Sequence, residues 1–140
     1  DLDGSVFETQ YNLAVAYTKA EDYSNAIKTY AAAIKLNPDF ADAYYSLAVC
    51  EENLAKDIIS GAVKVNDDGT IEKVEEIDNE AEEVKVVLSD RAKETLGKLL
   101  NDAISDYGLY QDKSNEPDDR AFVDRKVKEL QQLLAENAVK

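Results

Sequence analysis

The chain has 140 residues, enough for one domain that buries most of its apolar surface; 44% are hydrophobic and 33% charged, the balance of a soluble, helix-rich fold. A formal net charge of −14 excludes nucleic acid, whose phosphates need a basic footprint, and anionic membrane surfaces, while no apolar run approaches the roughly 20 residues that span a bilayer. With no histidine and a single cysteine, Cys50, His-dependent acid–base catalysis, His/Cys metal sites, Cys–His nucleophiles and an intrachain disulfide are all excluded, and no cofactor is implied.

The chain opens Asp1-Leu2-Asp3-Gly4 and contains no Met, the pattern of an excised fragment or processed product. From about Val6 to Lys19, Phe7, Leu13, Ala14, Ala16 and Tyr17 form an apolar stripe at helical spacing. Glu21-Asp22 is a short turn. A second helix, about Ser24 to Leu36, buries Ala26, Ile27, Tyr30, Ala33 and Ile34. Pro38 ends it, because proline cannot continue a helix and pushes Asn37 out of the α region. A third helix starts near Phe40 and reaches at least Ala55. Cys50 lies on it beside Val49 and two acids, Glu51 and Glu52, which marks it as a buried, inert residue and not a reactive thiol. Within these helices Tyr11-Asn12-Leu13-Ala14-Val15 returns 34 residues later as Tyr45-Ser46-Leu47-Ala48-Val49. A fixed period of that length marks stacked helix pairs, and such stacks present a surface to a partner.

Residues 7–55 resemble tetratricopeptide repeats. The signature of that family, Leu, a small residue and Tyr in the first helix, then Ala, an aromatic, Ala and Pro in the second, falls on Leu13, Ala14, Tyr17, Ala26, Tyr30, Ala33 and Pro38. Gln10 departs from it, and the pattern restarts in phase with Tyr44, Leu47 and Ala48 before Glu51 replaces the expected tyrosine. The resemblance implies an all-α stack of about five helices: repeat one at 7–40, and repeat two at 41–110, interrupted by an acidic insertion at 60–80. Ala14, Ala26 and Ala33 are then small so that paired helices approach closely, and Leu13, Tyr17 and Tyr30 fill the space between turns. It also implies a groove lined by Glu8, Tyr11, Val15, Thr18 and Lys19 from repeat one and Asp42, Tyr45, Val49, Glu52 and Asn53 from repeat two, which takes another protein or peptide. Tyr11 and Tyr45 are the best recognition candidates, each with apolar area and a polar tip. Tyr11, Val15 and Ser46 stand where chaperone-binding members carry a lysine and asparagine clamp, so chaperone-tail binding does not carry over.

After Lys56 the period breaks. Ala62–Val65 and Thr70–Val74 alternate around Asn66-Asp67-Asp68-Gly69, the pattern of a hairpin, or otherwise of a loop. Between residues 66 and 83 nine acids stand against one basic residue, Lys73. Asp67, Asp68, Glu72, Glu75 and Glu76 form an acidic patch suited to a basic protein. It is not an EF-hand: placing Gly69 at the sixth loop position puts Lys64 where the first oxygen ligand belongs. A long helix is expected from about Asn79 to Tyr110, capped by Asp78, with Ser89-Asp90 as a competing start. Its later half stands in for the missing second helix of repeat two, with Leu100 and Ala103 in the large and small packing roles. The polar stretch Asp112–Pro117 reads as a loop. The final helix, 118–138, carries Phe122, Val123, Val127, Leu130, Leu133 and Leu134 on one side and caps the stack, or else docks a second copy. The expected function is therefore a non-catalytic scaffold or adaptor, with basic-protein binding and homo-oligomerisation as rivals.

Overall fold

The computed structural model describes residues 2–74, 86–114 and 116–137, and these form five helices and a two-stranded hairpin. Helix α1 (Leu2–Lys19) starts earlier than its apolar stripe requires, and α2 spans Tyr23–Leu36. The turn between them closes α1 with two bonds: Glu21 N–H donates to the Thr18 carbonyl at 3.0 Å and Asp22 N–H to the Tyr17 carbonyl at 2.9 Å. This arrangement needs a left-handed residue, and Glu21 supplies it at φ 58° in place of the usual glycine. Asp22 then caps α2, accepting from the Asn25 side chain at 2.8 Å. Ala14, Ala26 and Ala33 have no exposed surface, so α1 and α2 meet through their smallest residues.

The expectation for Leu13 is corrected here. It is 43% exposed, whereas Leu47, one period later, is 8% exposed and sits in a core cluster with Ala14, Ala26, Tyr30 and Cys50. The reason is position in the stack: the α1–α2 pair covers Leu47, and no helix pair precedes α1 among the described residues. Tyr17 is half-buried and Tyr30 buried, as their packing roles require.

Helix α3 (Ala41–Ser60) follows the Pro38 turn, whose Pro38 carbonyl accepts from the Tyr44 hydroxyl at 2.8 Å. Gly61, at φ 82°, ends α3 in the left-handed region that favours glycine. Strands β1 (Val63–Val65) and β2 (Ile71–Lys73) pair antiparallel, Val63 with Lys73 and Val65 with Ile71. Their turn is held by Asp68, whose carboxylate accepts from Thr70 N–H at 2.9 Å and Thr70 Oγ1 at 2.6 Å, and by Gly69 at φ 88°. Two short strands are marginal alone. This hairpin is anchored because Val65 is buried in the main core and the Gly69 backbone lies against the Arg91 guanidinium.

Helix α4 runs Asp90–Ser114 and α5 runs Asp119–Glu136. The expected continuous helix from Asn79 is corrected: residues 86–89 are not helical, and Ser89 Oγ accepts from Ala92 N–H at 3.1 Å as the cap. Asp78, the expected cap, lies outside the described residues. At its other end α4 extends to Ser114, into the stretch expected as a loop, since neither proline nor glycine interrupts helical backbone from Gln111 to Ser114. α4 packs more extensively on α3 than any other pair of elements does. The two are antiparallel, with Tyr45 meeting Tyr110 near one end and Gly61 meeting Val86 near the other. Leu96, Leu100, Ala103 and Tyr107 of α4 are fully buried. α5 closes this larger core by burying Val123 and Leu130.

Candidate protein-interaction surface

Helices α1 and α3 carry the residues expected to line a groove, and the structure divides them. On α1, Glu8 and Lys19 are exposed, while Tyr11, Val15 and Thr18 are half-buried. The Tyr11 ring packs against Phe7, Tyr30 and Phe40 at centroid distances of 5.9, 5.7 and 5.3 Å. Thr18 Oγ1 donates to the Ala14 carbonyl at 2.8 Å and lies 3.4 Å from the Cys50 sulfur. Cys50 is wholly buried, and burial pushes its thiol pKa up, away from the reactive thiolate.

On α3, Asp42 is exposed, Val49 and Asn53 half-buried, and Tyr45 36% exposed. The Tyr45 ring is wedged against Tyr107, Tyr110 and Phe122, with centroids 6.2, 5.2 and 6.0 Å away. Its hydroxyl makes no hydrogen bond to any described residue, and neither does that of Tyr11. Tyr44, Tyr107 and Tyr110 differ, donating to Pro38, Glu52 and Asp119 respectively.

Glu52 is the correction within this set. It is 4% exposed and faces the interior, because α4 and α5 close over this end of α3. Its carboxylate accepts from Tyr107 Oη at 2.8 Å, Lys56 Nζ at 2.7 Å and Lys126 Nζ at 3.1 Å. Burial alone would raise its pKa; the hydrogen bonds from Lys56, Tyr107 and Lys126 outweigh that and hold it below the usual carboxylate value. Its neighbour Glu51 has the opposite fate. Equally buried, it faces Asp106 of α4, and desolvation together with that second carboxyl drives its pKa far above the carboxylate range. Burial thus favours the protonated form of Glu51, beside a Glu52 held towards its ionised form.

Of the acidic patch, Asp67, Asp68 and Glu72 are exposed on the hairpin, while Glu75 and Glu76 lie outside the described residues. The Thr70 hydroxyl and N–H hold Asp68 below its ordinary pKa. Among the described residues no group of three or more Asp, Glu or Cys side chains is arranged to hold a metal ion, and no helix is long and apolar enough to cross a membrane.

The TPR repeat family model matches residues 15–50, from the middle of α1 through α2 to the middle of α3. The chain contains a tetratricopeptide repeat. No curated protein matches the chain. A tetratricopeptide repeat is a protein–protein interaction module, so binding of a protein partner is the general activity of this fold. The repeat pattern also exposes the anomaly that periodicity alone passes over: Glu51 stands one period after Tyr17, where the repeat places a tyrosine. Glu52 offered no such signal, since a charged residue on a first helix reads as solvated until α5 is placed against it.

Proposed function

We propose that residues 1–140 act as one non-catalytic scaffold or adaptor unit that holds a protein partner on the first-helix face of α1 and α3. Tyr45 carries this reading. Its ring is immobilised by three aromatic neighbours, its edge reaches solvent and its hydroxyl is unengaged by any described residue, so a partner gains contact area and a hydrogen bond at little entropic cost. Tyr11 offers the same on α1, with Val15 and Thr18 between them and Lys19 and Asp42 as flanking charges; Val49 completes the α3 side.

A second reading rests on the hairpin, where Asp67 and Glu72 project from an anchored turn and suit a basic protein. The two separate in one experiment. The partner captured from native lysate by the wild-type chain is compared with that captured by Tyr11→Phe/Tyr45→Phe, which keeps the ring packing, and by Asp67→Asn/Glu72→Gln. Loss of about tenfold in affinity for the tyrosine variant, at most weakly dependent on salt, is the expected result. Loss confined to the hairpin variant and abolished by about 300 mM salt sinks the groove reading. Light scattering at two concentrations tests the remaining alternative, self-association.

A further inference from the structure

The hairpin forms one side of a cleft. It opens between the α1–α2 turn and β2, has a volume of about 850 Å³, and is floored by Tyr23, Ile27, Leu54, Leu99 and Ile71 from four different elements. Glu21 and Asp57 stand on its rim with Tyr23 between them, and no ion pair within 4 Å engages either acid among the described residues.

We propose that this cleft binds a basic segment of a partner protein, an apolar side chain entering the floor and an adjacent lysine or arginine reaching between Glu21 and Asp57 across the Tyr23 ring. The inference deepens the reading of the chain as a protein-interaction unit but uses a different face from Tyr11 and Tyr45. Three observations select a cation. Glu21 and Asp57 line the same cleft and Asp57 is half-buried there; burial and then Glu21 raise the pKa of Asp57, which Lys73 offsets only in part. An aromatic wall beside them favours a cation with an aliphatic stem, which lies along the ring while its charge meets the carboxylates. The competing basic groups on the rim, Lys28 and Lys73, are outnumbered by Glu21, Asp22, Asp57 and Asp68. A second copy of the chain is a poor occupant, because each copy carries a net charge of −14. Glu21 is held in its left-handed turn conformation by the α1 terminus, so the rim is already in place before a partner arrives.

The test is titration of isotope-labelled protein with a short peptide of alternating leucine and arginine, followed by amide chemical shifts and fluorescence anisotropy. Shifts are expected at residues 21–28, 57 and 71, with Kd raised about tenfold by Glu21→Gln/Asp57→Asn and several-fold by about 300 mM salt. Tyr11→Phe/Tyr45→Phe should leave Kd unchanged, so that failure of the cleft and failure of the first-helix face are told apart. The same peptide with glutamate in place of arginine should not bind. The proposal is overturned if shifts cluster on α1 and α3 or at Asp67 and Glu72, if the double variant binds equally well, or if cleft shifts appear on concentrating the protein alone, which would make a second copy the occupant. Ile27→Ala, which leaves the carboxylates in place, should weaken binding separately; unchanged affinity there also counts against it.

Discussion

Glu52→Ala should destabilise the protein by about 3–5 kcal/mol, and the loss should be concentrated at α5. Among the described residues Glu52 is the one side chain that links three helices through charged or buried donors: Lys56 of its own α3, Tyr107 of α4 and Lys126 of α5. Truncation leaves the fully buried Tyr107 hydroxyl without an acceptor and strands Lys126 over the Phe122 ring, its remaining anion Glu129 being 3.7 Å away and largely exposed. Removing one donor instead, in Tyr107→Phe, leaves two lysines on the carboxylate and should cost only about 1 kcal/mol. The pH dependence has a definite sign. The folded pKa of Glu52 lies below its unfolded value, so its contribution is present above the unfolded carboxylate pKa and disappears as pH falls through the folded one. Urea unfolding at neutral and acid pH measures the first effect, and hydrogen exchange of the α5 amides measures where it falls. A neutral-pH loss below about 1 kcal/mol, or uniform loss of protection over all five helices, would contradict the role assigned to Glu52.

How much of this was legible in the chain depends on whether the cause is local. The α1–α2–α3 arrangement follows from spacing that the backbone itself imposes: alanines at Ala14, Ala26 and Ala33, a proline after α2, and a 34-residue restart. The hairpin was likewise readable from Asp68-Gly69 between alternating segments, though its anchoring by Val65 and Arg91 was not. Where two local signals competed, neighbours decided. Asp78 and Ser89 are both good caps, and the apolar spacing of Ala81, Val84 and Leu88 argued for the earlier start, yet α4 begins at Asp90 behind the Ser89 cap, which stands three residues after Val86, whose side chain lies against Gly61 at the end of α3. The interaction surface was legible only in part. Tyr11 and Tyr45 were found because repeat position marks them, but Glu52 shares that positional logic and is internal, since exposure on α3 is set by α5, whose Lys126 lies 74 residues further along. The Glu21–Asp57 cleft had no signal at all, being assembled from the α1–α2 turn, three helices and the hairpin.

Glu51→Gln should stabilise the protein at pH 8 by about 1–3 kcal/mol and leave it nearly unchanged at pH 4. One period earlier α1 packs Tyr17, whereas α3 here buries a carboxyl, with Oε1 unpartnered among the described residues and Asp106 as its neighbour across the α3–α4 interface. Asp102 adds to the local negative field, and Lys98, which offsets it, is itself committed to Asp102 at 2.7 Å. The fold therefore favours a proton on Glu51 that the unfolded chain, with an ordinary value of 4.5, has already released at neutral pH. The folded pKa is raised, so the stability of this group is complete below the unfolded value and is lost steadily as pH rises towards the folded one. The substituted amide keeps the shape of the carboxyl and presents Asp106 with a donor that needs no proton. The predicted signature is a gap between variant and wild type that widens with pH across urea unfolding series, and a constant gap would show that Glu51 is ionised in the fold. Because Glu52, the next residue, loses its contribution on the acid side, adjacent carboxyls on α3 bound the stability of the repeat from opposite directions; substituting Glu51 should move the optimum upward in pH while the acid limb, set by Glu52, stays where it is.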